Sequence, residues 1–242
     1  MSATPPVQRA MVLAAGEGRR MRPLTDSKPK PLIDVAGRSL LDHTLDRVAA
    51  AGITDVVVNH RWLGEQIAAV VAQRQDLRIT LSPEDQVLET GGGVQAALPL
   101  LGGEPFLILN ADVFWLNGPT PAIDRLMAAW DDSQMDALLL VQRMVTGYGC
   151  EGPGDYFLDP VGRLTWRGEA AVAPHIFAGV QICHPRLFEE APPAPFSMKA
   201  LWDRAQANGR LFGILHDGLW FHLSRPGDVE TTMQVLVDDR LI

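Results

Sequence analysis

The chain is short of cysteine, of lysine and of long apolar runs, and each shortage excludes something. Two cysteines in 242 residues, Cys150 and Cys183, cannot make a disulfide framework and form no Cys-x-x-Cys pair. That usage suits a reducing compartment, so a cytoplasmic location is expected. No apolar run approaches the roughly 18 residues that span a bilayer. The first nine residues lack the apolar core of a signal peptide. Positive charge is scarce too: 21 Lys and Arg against 29 Asp and Glu leave a net charge of −8. That balance argues against nucleic acid or an anionic membrane as the main partner. The histidines (His43, His60, His175, His184, His216, His222) show no zinc spacing, and no Gly-x-Ser-x-Gly elbow occurs. The six tryptophans are not interleaved with basic residues as an RNA-stacking platform requires.

Apolar residues make up 47% of the chain, enough for one large core without metal or disulfide support. Residues 1–8, with Pro5-Pro6, read as a loose tail, leaving 9–242 as a single domain. Apolar runs from Ala10 to Ala15, Asp55 to Asn59, Arg78 to Leu81, Pro105 to Asn110 and Ala137 to Val141 suit buried strands. Helical patterns at Leu40 to Ala51, Leu63 to Gln73, Gly93 to Leu98 and Ile123 to Trp130 alternate with them. That alternation predicts α/β architecture with a three-layer, doubly wound, mostly parallel sheet. After Val141 the pattern breaks into short strands at Tyr156 to Leu158, Leu164 to Trp166, Ile176 to Ile182, Leu211 to Leu215 and Leu219 to Leu223. Helices over Phe196 to Asn208 and Asp228 to Asp239 complete a mixed-sheet lid.

The richest segment runs from Leu13 through Gly16, Gly18, Arg19, Arg20 and Pro23 to Lys28, Lys30 and Leu32. It follows a buried strand, at the sheet edge where open α/β folds bind ligands. Gly16 and Gly18 let backbone N–H groups approach a phosphate closely. From Gly16 to Lys30, five basic residues (Arg19, Arg20, Arg22, Lys28, Lys30) face two acidic ones (Glu17, Asp26), a local +3 inside an acidic chain. The chain holds three lysines against 18 arginines, and two of the three lie here. The loop is neither of the familiar phosphate cradles. Met21 stands where a dinucleotide fingerprint needs its third glycine, and no Gly-Lys-Ser/Thr triplet exists.

Leu13-Ala-Ala-Gly-x-Gly-x-Arg20-Met-x-Pro-Leu-Thr25, followed by Pro29-Lys-Pro-Leu32, resembles the signature of the sugar-1-phosphate nucleotidyltransferases. The resemblance implies a Rossmann-like, GT-A-type sheet with a sugar-binding lid. It also implies NTP and a sugar 1-phosphate as partners. Leu13, Ala14, Gly16, Gly18 and Arg19 would line the nucleotide. Arg20 would bind the triphosphate, and Lys30 would contact the α-phosphate and the incoming sugar phosphate.

Three further segments join the pattern. Glu89-Thr90-Gly91-Gly92-Gly93 joins a strand to a helix, and on sequence alone it is equally a bed for a flat nucleobase or a turn capped by Thr90. It is similar to the base-recognition segment of the N-acetylmuramate-1-phosphate uridylyltransferase branch, and the surrounding Asn59-His60-x-Trp62-Leu-Gly64 and Ser82-Pro-Glu84 are similar to that branch as well. A mannose-1-phosphate guanylyltransferase-like branch is the same-class alternative. Asp112, in Asn110-Ala-Asp112 after a strand, is either a turn former or a Mg²⁺ ligand completed by phosphates and water. The family's metal aspartate occupies this place. Gly154-Asp155 and Gly179 are similar to the segments that line the family's sugar pocket, together with Asn110. One departure stands out: His222 occupies the position of the family's second metal carboxylate. Imidazole favours Mn²⁺ over Mg²⁺, and the other reading is that His222 only packs in the lid or contacts a phosphate. Two remoter alternatives are a phosphocholine cytidylyltransferase, with Trp115 and Trp166 in a cation cage, and a catalytically silent nucleotide-binding regulator. Oligomeric state is not legible.

Overall fold

The computed structural model describes residues 7–241. Of the expected tail, residues 1–6 lie outside that range, while Val7 is fully buried in the core, so the fold begins before residue 9. In chain order the first half comprises β1 (Arg9–Leu13), β2 (Asp34–Val35), β3 (Arg38–Ser39), α1 (Leu40–Ala50), β4 (Asp55–His60), α2 (Gly64–Val71), β5 (Arg78–Pro83), α3 (Glu89–Leu101), β6 (Phe106–Asn110), β7 (Val113–Leu116) and α4 (Ala122–Ala129). The second comprises β8 (Ala137–Arg143), β9 (Gly147–Tyr148), β10 (Tyr156–Leu158), β11 (Leu164–Trp166), β12 (His175–Cys183), α5 (Met198–Ala207), β13 (Leu211–Leu215), β14 (Leu219–His222) and α6 (Pro226–Asp238).

The central row runs β5–β4–β1–β6–β12–β8–β13, and every strand in it but β12 points the same way. β10 and β11 extend the sheet from the start of β12, and β7–β14–β9 form a separate mixed three-stranded sheet. The expected doubly wound, mostly parallel sheet is present, but β12 and β13, expected in the lid, belong to the central row, and only β14 of the expected lid strands joins the small mixed sheet. Strand alternation builds the layers: Ala10 and Val12 pack with α1, α2 and α4, while Met11 points to α3 and α5. Each fully buried Val, Leu or Met side chain contributes about 1.5–3 kcal/mol relative to exposure. A third cluster joins Met21 of the glycine-rich loop to Val35, Phe114, Phe221 and Leu236, clamping the loop between the small sheet and α6.

Two helix starts differ from expectation. α3 begins at Glu89, so the three glycines lie inside its first turns. The Phe196 carbonyl accepts from the N–H groups of Gly91 (2.9 Å) and Gly92 (3.1 Å), supplying partners that a helix N-terminus lacks. A Cβ on Gly91 would sit 2.3 Å from the Phe196 ring, so close packing selects glycine against its poor helix propensity. α6 begins at Pro226, the first-turn position where a missing N–H costs nothing, and Asp228 accepts from the N–H groups of Ser224 and Arg225. The β2–β3 pair, β7 and β9 were not legible as strands.

Candidate active site

β1 and β6 are parallel neighbours, with Leu13 opposite Asn110. The glycine-rich loop that leaves β1 and the Asp112 turn that leaves β6 therefore meet at one sheet edge. The loop folds back on itself there. Gly18 is left-handed (φ +62°), and its carbonyl accepts from Thr25 Oγ1 at 2.9 Å. A Cβ on Gly18 would lie 2.9 Å from the Lys30 Cβ, so glycine is required both by backbone angle and by space.

Pro29 and Pro31 bracket Lys30 in a single 3₁₀ turn. Its side chain is 7% exposed and its Nζ donates to Asp112 Oδ2 at 2.9 Å. Burial alone would raise the Asp112 carboxyl, but the Lys30 charge and hydrogen bond, with smaller help from His222 and Arg20, hold it below the usual carboxylate range. The site therefore carries an ionised carboxylate at neutral pH. Arg20 is exposed on the same wall and has no ion-pair partner among the described residues. Arg19 donates to Glu17 at 2.6 Å, and Arg61 donates to the other oxygen of the same carboxylate.

These residues enclose a cleft of about 540 Å³, large enough for a nucleotide. Leu13, Ala14, Gly16, Gly18, Glu89 and Thr90, expected at the nucleotide, lie on its wall, and so does Asn110, expected at the sugar. Gly91 and Gly92 do not. Their N–H groups are spent on Phe196, so a bed of bare glycine backbone for the base is not what this segment presents. Gly154, Asp155 and Gly179 are also off this wall. Asp155 Oδ2 accepts from the Phe177 N–H at 3.0 Å, and burial raises its carboxyl. Gly154 (φ +75°) lies against the Ala173 carbonyl. Gly179 (φ +81°) sits in the β12 irregularity and lets that strand approach Val113 and Asn110. Gly154 and Asp155 shape the segment leading into β10, and Gly179 shapes a strand of the central sheet.

His222 closes β14 opposite Val113, one residue beyond Asp112, with its ring stacked on Trp220. Burial lowers its pKa more than the Asp112 charge raises it, leaving a neutral imidazole at pH 7. Among the described residues no group of three or more His, Cys, Asp or Glu side chains gathers as a metal centre. What the donor set fits is a hard divalent ion held by one carboxylate and completed by substrate phosphates and water. Lys30 occupies Asp112 Oδ2 and leaves Oδ1 for such an ion, with His222 nearby as a softer donor.

Sequence reasoning gave Glu17 and Arg61 no place in the site, and quoted Asn59 and Glu84 only for their likeness to one branch of the family. The Asn59 side chain accepts from Ala14 N–H (2.8 Å) and donates to Glu84 (2.6 Å), tying the ends of β1, β4 and β5 together. Their placement after parallel strands was the available signal. Trp115 is fully buried in the small sheet, whereas Trp166 lies in β11 of the large one, so the pair forms no cation cage. No helix among the described residues is long and apolar enough to cross a membrane.

This chain is similar over most of its length to proteins with related architecture. It is 41% identical over 231 residues to the N-acetylmuramate alpha-1-phosphate uridylyltransferase of Caulobacter vibrioides, covering 93% of this chain and 95% of that one. It is 37% identical to the enzyme of the same name from Neisseria meningitidis, covering 88% and 91%. A UDP-glucose pyrophosphorylase crystallised with UDP-glucose superimposes with a TM-score of 0.77 at 15% identity, over 96% of this chain and 99% of that one, which shows a shared fold. The family described as the MobA-like NTP transferase domain matches residues 10–214, a span that holds the glycine-rich loop, the Lys30–Asp112 pair and all of the central sheet but Arg9 and Leu215 at its ends. On that match and those identities, the chain belongs to the MobA-like NTP transferase family.

Proposed function

We propose that the protein transfers a uridylyl group from UTP to N-acetylmuramate 1-phosphate, giving the UDP-sugar and pyrophosphate. A phosphate oxygen of the sugar phosphate forms a bond to the α-phosphorus, and the bond from that phosphorus to the pyrophosphate bridging oxygen breaks. No covalent enzyme intermediate is needed, so positioning and charge neutralisation carry the acceleration. The buried Lys30 ammonium, held at Asp112, is the observation that most supports this. It is a fixed donor in a half-enclosed cleft, placed to meet charge that grows on the α-phosphate oxygens. Arg20, unpaired on the same wall, reaches the β- and γ-phosphates. Asn59 and Glu84 hold the Ala14 and Val87-to-Thr90 segments at the nucleoside end. Asp112, with His222 beside it, would hold Mg²⁺ or Mn²⁺, which neutralises phosphate charge when bound.

The uridine and N-acetylmuramate assignments draw on the two relatives above, at 41% and 37% identity. The test is pyrophosphate release from a panel of UTP, GTP, CTP, TTP and ATP with N-acetylmuramate, N-acetylglucosamine, glucose and mannose 1-phosphates. UTP with N-acetylmuramate 1-phosphate is expected to give the highest kcat/KM. If GTP with mannose 1-phosphate exceeds it, the substrate assignment fails while the reaction class stands.

A further inference from the structure

The cleft wall is charge-balanced before any substrate arrives. Arg19, Arg20, Lys30 and Arg61 face Glu17, Glu84, Glu89 and Asp112. Three of the four cations are already committed, Lys30 to Asp112 and the other two to a single carboxylate, Glu17. Glu17 lies between the two glycines of the phosphate-type loop. Its Oε2 accepts from Arg19 Nε at 2.6 Å, and its Oε1 accepts from Arg61 Nη2, which reaches across from the end of β4. Its side chain is 19% exposed and that of Arg61 22%, whereas that of Arg19 is 76% exposed and free to swing. The two guanidinium hydrogen bonds hold the Glu17 carboxyl down to about 2, so the group stays ionised at any working pH. A carboxylate accepting from two arginines in a phosphate loop mimics the way a phosphate would be held.

We propose that Glu17 is a built-in stand-in for the polyphosphate, holding Arg19 and Arg61 at the cleft mouth and surrendering them to the β- and γ-phosphates as the nucleotide binds. The role rests on the cleft accepting a nucleoside triphosphate. A tethered carboxylate competes at high effective concentration, so it weakens every polyanion that uses those arginines. The consequence falls on the product as well as on the substrate. As pyrophosphate leaves, Glu17 recaptures Arg19 and Arg61, which speeds departure and limits product inhibition. It also spares the empty loop the mutual repulsion of Arg19, Arg20 and Arg61.

The full-length enzyme and its Glu17→Gln variant are compared for inhibition by inorganic pyrophosphate against UTP, for UTP KM and for kcat. Melting temperature is followed alongside. Glu17→Gln should lower the pyrophosphate inhibition constant by about tenfold, the equivalent of one freed charge-assisted hydrogen bond. It should lower UTP KM and also kcat, because release slows. Adding Arg19→Ala to Glu17→Gln should erase the gain, and Glu17→Asp should sit near wild type. A residue that merely braces the loop gives the opposite sign, since its loss weakens UTP and pyrophosphate together. A folded Glu17→Gln protein with unchanged or weaker pyrophosphate inhibition overturns the proposal while nucleotidyl transfer stands. A wild-type enzyme that neither turns over any NTP nor responds to pyrophosphate overturns the nucleotide assignment too.

Discussion

The two walls of the active-site cleft are made in different ways. One wall is a continuous loop, residues 13–32, that folds onto itself through Gly18, Thr25 and Lys30 and is anchored by the buried Met21. The rest is assembled from the end of β6 with Asp112, the ends of β4 and β5 with the start of α3, and Ser224 ahead of α6, all distant in sequence, while the β7–β14 pairing brings His222 near Asp112. In the first, charge chemistry is dense and local: Arg19, Arg20, Lys30 and Glu17 lie within fourteen positions of one another. In the second, single residues such as Asp112 and His222 become neighbours only because a sheet brings them together. A local wall should lose chemistry when one side chain is removed, whereas an assembled wall should show effects on metal use and on stability.

The largest effect is expected at Lys30. Lys30→Ala should lower turnover by at least about two orders of magnitude, as for loss of a donor aimed at developing charge. Lys28→Ala, on an exposed residue with no ion-pair partner among the described residues, should be mild. Steady-state kinetics check this, and equal losses at the two lysines would sink the role given to Lys30. Asp112→Asn comes next. The isosteric amide keeps the fold but removes the charge facing both Lys30 and the metal, so activity should drop about a hundredfold and recover partly at high Mg²⁺. Full activity at ordinary Mg²⁺ would move the ion elsewhere.

His222 should give a smaller effect on metal use. His222→Asp adds a hard oxygen ligand and should lower the Mg²⁺ concentration for half-maximal rate by roughly tenfold, and His222→Ala should raise the Mn²⁺ requirement. Coincident metal titrations for the three proteins would take His222 out of the ion's environment. The smallest effect on catalysis, and a clear one on stability, is expected away from the cleft at Asp136. Its Oδ1 accepts from Arg186 (2.7 Å) and Arg210 (2.8 Å), joining the start of β8 to the segments after β12 and before β13. Burial alone would raise this carboxyl, but the two arginines more than offset it and hold it below its ordinary value. The folded pKa thus lies below the unfolded one, so its stabilisation is present above the unfolded value and is lost as pH falls through the folded one. Asp136→Asn should lower stability by about 2 kcal/mol at pH 7, roughly 5 °C in melting temperature. The gap should narrow as pH falls below the ordinary aspartate value, and a gap independent of pH would mean the ion pairs contribute nothing.

The glycine-rich loop was legible because its determinants are contiguous and chemically unusual. Two prolines flank Lys30, Gly18 precedes a basic run, and the whole follows an apolar strand. The alternation of strands and helices likewise announced the sheet and its ligand-binding edge. The start of α3 was placed too late for a local reason: Gly91 to Gly93 look like a helix breaker, and only the packing of Phe196 and Ala194 shows why a helix there demands glycine. Asp155 and Gly179 were found as motifs, but their hydrogen bonds and φ angles give them work within the backbone.

By itself, then, the sequence determined the layered α/β architecture and the cationic loop at a strand's end, because hydrophobic period and local backbone restriction are properties of neighbours along the chain. Tertiary structure alone decided that Lys30 is tied to Asp112, 82 positions away, and that Arg61 shares Glu17 with Arg19. It also decided that His222 stands beside Asp112. Partner choice between charges depends on distance and burial, and both are set by strand order and register that no run of adjacent residues encodes.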